Sequence, residues 1–223
     1  MNREYEKNLH KKAAAFKVWA KRNYPQITEE TDNGEWCFCP EFDDMRSYSI
    51  AVINEVPAGE ATEQIMDDLL YVIARDNECS LVIEILENYD QWFSLLCRRC
   101  INTDYTNAKW QFAEHLHSYK GEDNLQEMVY DFLSAGDEYT ERLALQALAD
   151  IYPACAESYA VEFWERNKYE SDEYQKIMVL HVLYQIHSAK LPHYLELAEM
   201  SDNMYLKENT GLIREKLSGF GAE

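Results

Sequence analysis

The feature that most constrains the fold is a recurrence of apolar residues at an interval of 35 positions. Three segments align at this offset, residues 108–117, 143–152 and 178–187. The matched apolar columns are Trp110/Leu145/Leu180, Phe112/Ala147/Val182, Ala113/Leu148/Leu183 and Leu116/Ile151/Ile186. A period of roughly 20 to 50 residues built from helix pairs is typical of an α-solenoid, because each pair must bury its apolar face against its neighbours. An ordinary helical bundle with fortuitous spacing is the alternative.

Helical spacing of apolar residues also extends well beyond the repeats. Leu9, Ala13, Phe16 and Ala20 form one face of a helix predicted over 2–22. No segment shows the sustained alternation of apolar and polar residues that a strand requires, so we expect an all-α protein. The remaining helices are predicted at about 41–54, 60–76, 79–88, 90–101, 105–119, 123–134, 138–151, 156–167, 172–188, 192–200 and 204–217.

Two regions are expected along the chain. Residues 1–40 comprise a basic helix and an irregular segment rich in turn formers, and residues 41–223 form the helical-repeat domain. We expect the first helix to cap the domain by docking on it. A basic amphipathic helix that lies on a membrane surface is the alternative.

The segment TERLALQALADIYP, at 140–153, resembles the first helix of a HEAT repeat, and the chain as a whole resembles HEAT and armadillo-type proteins. The resemblance is clearest over 105–200 and looser over 41–101. It departs from the HEAT pattern in lacking the typical Asp–Arg pairing and in placing Trp110 and Phe112 where small residues are usual. The resemblance implies a right-handed α-solenoid of antiparallel helix pairs with an N-terminal capping helix, and a protein that binds other proteins.

Charge is distributed unevenly along the sequence. Residues 1–22 carry a net charge of +5 and the remaining 201 residues carry -25, which together give the chain a net charge of -20. An acidic body repels nucleic-acid phosphates and anionic membranes, so direct binding to nucleic acid or to a membrane is not expected. A basic protein is the partner that such a surface favours, although high charge also maintains solubility without any partner.

The second helices of the three repeats carry acidic residues at matching positions. Each helix holds two acids that are three or four positions apart and therefore share a face. In HEAT-like solenoids the second helices line the concave face, so these acids are expected to form a strip that docks Lys and Arg groups, with aromatic anchors beside it. A solvated polar face is the alternative reading. The predicted partner-binding residues are Glu127, Tyr130, Asp131, Glu162, Trp164, Glu165, Glu196 and Glu199.

Chemistry-bearing motifs are scarce. Cys37 and Cys39 together with Cys97 and Cys100 could offer four thiolates to zinc, but their spacing fits no standard site, so small core residues are the preferred reading. A single ExxH, at Glu114, lacks the second copy that a di-metal bundle needs. No P-loop, HExxH or GxSxG occurs, and we expect no catalytic residue, no metal and no cofactor. The N-terminus lacks the features of a signal peptide, which favours a cytoplasmic protein with reduced thiols.

These observations favour a non-catalytic binding module that docks a basic protein on an acidic concave face, for example an immunity or inhibitor protein. A structural or adaptor subunit of a larger assembly is the alternative, and a metal-dependent enzyme is a second one.

Overall fold

The computed structural model describes residues 2–26, 39–121, 125–166, 168–169 and 171–219. Every regular element in this part of the chain is helical, which confirms the all-α prediction. Short 3₁₀ helices at Ala58–Glu60 and Leu116–Ser118 accompany the α-helices. The α-helices are α1 (Asn2–Asn23), α2 (Pro40–Glu55), α3 (Glu63–Arg75), α4 (Leu81–Leu86), α5 (Asp90–Cys100), α6 (Thr106–His115), α7 (Leu125–Phe132), α8 (Glu138–Ile151), α9 (Pro153–Glu165), α10 (Glu173–Gln185), α11 (Leu191–Met200) and α12 (Met204–Gly219).

The helix boundaries follow the predicted ones to within a few residues, and prolines account for the clearest difference. Pro153 was read as a joint before a helix predicted from 156, but it is the first residue of α9. Pro40 likewise begins α2, and Pro192 lies in the first turn of α11. Proline fits there because the first amide groups of a helix have no intrahelical acceptor, and its fixed φ already suits the helix.

The chain divides into two compact units, 1–135 and 136–223. This division differs from the boundary expected after residue 40. Helix α1 packs on α2 and α3 within unit 1. Its predicted face is confirmed at Leu9, Ala13 and Phe16, which are fully buried, whereas the fourth predicted residue, Ala20, is half-buried. Most of the segment predicted to be irregular, 27–38, lies outside the described residues.

In each unit, helices that alternate along the chain contact one another. Helix α3 packs between α1 and α6 in unit 1, and α10 packs between α8 and α12 in unit 2. Helix α9 contacts both α8 and α10, and α11 contacts α10 and α12. The helices α8, α10 and α12 therefore form one layer of unit 2, with α9 and α11 beside it.

Two of the predicted repeat columns are core positions throughout. All six of their residues are buried, namely Phe112, Ala147 and Val182 in one column and Ala113, Leu148 and Leu183 in the other. The other two columns mix buried with half-buried residues. None of the described helices combines the length and the apolar character needed to cross a membrane.

Candidate functional site

An aromatic contact sets α9 beside α11 in unit 2. The ring of Trp164 on α9 meets the ring of Tyr194 on α11 edge-on, with centroids 5.1 Å apart and planes inclined at 62°. Both side chains are buried. The ring contact holds the two helices together, and the side of each helix that faces away from the rings is exposed to solvent.

The outward sides of these two helices are acidic. On α9 the apolar residues Ala160, Phe163 and Trp164 are buried at helical spacing, which turns Glu162 and Glu165 to solvent. On α11 the buried residues Tyr194, Leu195 and Ala198 have the same effect. The exposed carboxylates Glu162, Glu165, Glu196 and Glu199 are called the acidic face below.

Few cations compensate this charge. Glu199 pairs with Arg214 of α12, with 2.5 Å between Oε1 and Nε. In the described part of the chain no ion pair involves Glu162, Glu165 or Glu196. Burial, with a further contribution from the charge of Glu165, raises the pKa of Tyr194. The Glu165 carboxylate is therefore near enough to act on the aromatic pair beneath it.

Apolar groups border the acidic face at the end of α11. Met200 is 81% exposed, and His193 stacks edge-on against Tyr194 with centroids 5.2 Å apart. Carboxylates beside an exposed apolar group can accept charge-assisted hydrogen bonds from Lys and Arg while also contacting their aliphatic stems. The face therefore offers groups that can bind a basic side chain.

Four of the eight residues predicted for partner binding, namely Glu162, Glu165, Glu196 and Glu199, are exposed on α9 and α11 of unit 2. Glu127, Tyr130 and Asp131 belong to unit 1, where Glu127 and Asp131 are exposed on α7 and Tyr130 is half-buried. Trp164 was expected to be an aromatic anchor on the surface, but it is only 8% exposed and belongs to the core of unit 2.

Sequence reasoning missed a groove in unit 1. A hollow of about 360 Å³ is lined by Ile53, Val56, Pro57, Tyr89 and Trp92, whose Nε1 donates to the Val56 carbonyl at 2.9 Å. A second hollow of about 620 Å³ adjoins it. These residues lie on α2, on the loop after it and at the start of α5, so no local pattern in the sequence predicts the groove. Its lining is largely apolar, although Glu55 and Asp90 also line it.

Three of the four cysteines that were considered as zinc ligands lie in the described chain, and all three are buried core residues. Cys97 and Cys100 are fully buried, and burial raises the pKa of Cys100 to about 12 and that of Cys97 well above its usual value. Cys39 is also buried, and Cys37 lies outside the described residues.

Comparison of the chain with protein-family models, curated proteins and solved structures finds no match.

Proposed function

We propose that the chain is a non-catalytic macromolecule-binding module with a HEAT-like, right-handed solenoid architecture, and that its acidic face docks a basic protein. The contact of α10 with both α8 and α12 supports the solenoid, since each helix of a stacked repeat contacts the equivalent helix of the next. An immunity or inhibitor protein that covers a basic toxin is the concrete form of this function.

The observation that carries the proposal is the set of exposed carboxylates on α9 and α11, held by the buried Trp164–Tyr194 pair. Glu162, Glu165 and Glu196 make no ion pair among the described residues, so they are available to a partner's cations. Opposite charges at a rigid surface accelerate association and fix its orientation, and salt weakens such complexes.

The test compares the wild type with the acidic-face variant Glu162→Lys/Glu165→Lys/Glu196→Lys. A matched control, Glu78→Lys/Glu84→Lys/Glu114→Lys, makes the same change in net charge at exposed acids of unit 1. Each protein is immobilised and exposed to lysate of the source cells at low and high salt, and the captured proteins are identified by mass spectrometry. Hydrogen exchange then locates the contact in the purified complex.

We expect a basic protein that the wild type and the control retain, that the acidic-face variant loses, and that protects α9 and α11 from exchange. If both variants lost the partner equally, binding would depend on net charge alone, and the proposal would be contradicted. Retention by all three proteins would place binding on another surface, as an adaptor subunit would have.

A further inference from the structure

Helix α1 presents a basic stripe to solvent. Its buried residues Leu9, Ala13 and Phe16 face α2 and α3. The opposite side of the helix carries Lys7, Lys11, Val18 and Arg22, all exposed and all within about one quarter of the helix circumference. This set is called the basic stripe, and its Val18 is 72% exposed.

The cations of the basic stripe differ from the others on α1. Lys12 pairs with Asp44, Lys17 lies 4.2 Å from the ring centroid of Tyr71, and His10 lies 2.8 Å from Asp68. Those three groups fasten the helix to its own unit. In the described part of the chain, by contrast, no ion pair involves Lys7, Lys11 or Arg22. The stripe therefore has cationic and apolar groups that the fold of unit 1 does not use.

Helix α12 presents a complementary stripe. Its buried residues Leu206, Thr210 and Ile213 face unit 2, and the opposite side carries Met204, Glu208, Leu212 and Glu215, all exposed. This set is called the terminal stripe. Met204 and Leu212 are 61% and 53% exposed.

Two of the three basic residues of α12 make contacts outside the terminal stripe. Arg214 is engaged with Glu199, and Lys216 lies 6.0 Å from the ring centroid of Tyr184. No ion pair of the described residues involves Glu208 or Glu215. The terminal stripe is thus acidic and apolar, although the helix as a whole is nearly neutral.

We infer that the basic stripe of one copy of this chain binds the terminal stripe of a second copy, in a head-to-tail contact. Lys7 and Val18 are as many residues apart as Met204 and Glu215, a span of about 16 Å along a helix. Antiparallel helices then place Lys7 opposite Glu215 and Val18 opposite Met204. Ion pairs and an apolar contact form together in that register.

A second copy fits the stripes better than a nucleic acid does. Phosphates would engage Lys7, Lys11 and Arg22, but they offer no contact to Val18, whose exposed apolar surface matches that of Met204 and Leu212. Because a head-to-tail contact leaves one unused stripe at each end, further copies add until a ring closes or a chain grows. A single pair of helices makes a small interface, so the association is weak and sensitive to salt.

Sedimentation velocity over a concentration series at low salt tests the inference with the full chain. We expect the mass to rise above the 26.2 kDa of one copy as concentration increases, and to return to it at high salt. Lys7→Glu/Lys11→Glu and Glu208→Lys/Glu215→Lys should each weaken association by about tenfold or more. All four substituted residues are exposed in the wild type, and circular dichroism checks that the helices are retained in the variants.

Mixing the two variants gives the decisive measurement. The first variant keeps only a functional terminal stripe and the second keeps only a functional basic stripe. Their equimolar mixture should therefore associate although neither variant does so alone, and it should grow beyond the 1:1 dimer, because the two charge-reversed stripes also complement each other. The chain that carries all four substitutions should associate again, because its two stripes have exchanged sign.

Three results would overturn the inference. The first is a wild type that stays monomeric at low salt over the whole concentration series. The second is a pair of variants that associate as strongly as the wild type. The third result is association that persists in Glu208→Lys/Glu215→Lys but is lost in Glu162→Lys/Glu165→Lys. That result would mean that the basic stripe binds the acidic face rather than the terminal stripe. If the wild type is monomeric yet retards a DNA oligonucleotide in a gel and Lys7→Glu/Lys11→Glu abolishes that shift, the stripe binds phosphates instead.

Discussion

Unit 1 and unit 2 each bury a carboxylate, but they surround it differently. Asp76 in unit 1 is 1% exposed and accepts a hydrogen bond from the Val82 amide at 2.9 Å, with the Arg46 guanidinium at 3.4 Å. Glu141 in unit 2 is fully buried, between Arg166 at 2.8 Å and Lys168 at 2.6 Å.

The two arrangements have different structural roles. Asp76 closes a local turn, because it bonds the backbone at the start of α4 only six positions further on. Glu141 ties α8 to the segment after α9, and it also accepts a hydrogen bond from the Gly136 amide at 2.9 Å. A carboxylate that mainly receives backbone amides can be replaced by a neutral acceptor. One that neutralises two cations cannot, since its loss leaves those cations without a counter-charge.

The largest effect is expected from Glu141→Gln, which breaks the buried network of unit 2. We expect a loss of about 3 kcal/mol in the free energy of unfolding, because the largely buried Arg166 and the half-exposed Lys168 lose their partner. Urea titration followed by circular dichroism measures it. The exposed Glu162→Gln on α9 should leave the transition unchanged, and a loss at Glu141 no larger than that at Asp76 would refute the comparison.

Two buried glutamines extend the comparison. Gln175 in unit 2 donates to the Phe163 carbonyl and accepts from Nη2 of Arg166 at 2.7 Å. Gln111 in unit 1 donates to the Ile73 carbonyl, and its Oε1 has no hydrogen-bond partner among the described residues. Replacing each by Leu should cost about 2 kcal/mol at position 175 and about 1 kcal/mol at position 111, since only the first removes an acceptor from a cation. Both values come from the same urea titrations. Equal losses would show that the charge of Arg166 does not distinguish the two sites.

A smaller effect is expected from Asp76→Asn. Burial raises the pKa of Asp76 above the ordinary value of an aspartate, against the opposing effects of the Val82 amide and Arg46. The neutral amide can still accept from the Val82 amide, so we expect a loss of about 1 kcal/mol or less at neutral pH.

The pH dependence of this variant has a defined sign. A carboxyl group with a raised pKa contributes stability that is present below its unfolded pKa and lost as the pH rises through its folded value. The wild type should therefore lose stability relative to Asp76→Asn as the pH rises from about 4 towards 7. Urea midpoints of both proteins across this range measure the difference. A difference that moves in the opposite direction would contradict the raised pKa.

Much of the fold could be predicted because helical spacing marks the buried faces directly. Leu9, Ala13 and Phe16 lie at spacings of four and three, and all three are buried as expected. The buried carboxylates could not be predicted in this way. Glu141 lies within the segment most like a HEAT helix, yet its partners follow it by 25 and 27 positions, and no local pattern connects them.

The acidic face was predicted in part. The positions of Glu162 and Glu165 follow from the repeat, and both are exposed. Trp164 was grouped with them because it shares their helix. Its spacing from Ala160 and its position next to Phe163 place it on the apolar side, and this signal would have identified it as a core residue. Whether the face binds a partner depends on a surface outside this chain, which no pattern within the sequence specifies.

The smallest effect is expected at two buried threonines of unit 2, where the comparison can be made within one unit. The Oγ1 of Thr210 donates to the Leu206 carbonyl at 2.8 Å, whereas the buried Oγ1 of Thr140 has no hydrogen-bond partner in the part of the chain that the structure describes. Replacement by Val keeps the shape of each side chain.

Thr140→Val should lower the free energy of unfolding by less than about 0.5 kcal/mol, or raise it, because the substitution removes a hydroxyl whose burial is uncompensated. Thr210→Val, the matched control, should lose about 1 kcal/mol with its hydrogen bond. If Thr140→Val were the more damaging, the hydroxyl of Thr140 would have a partner after all, and the polar network around Glu141 would extend to the neighbouring position on α8.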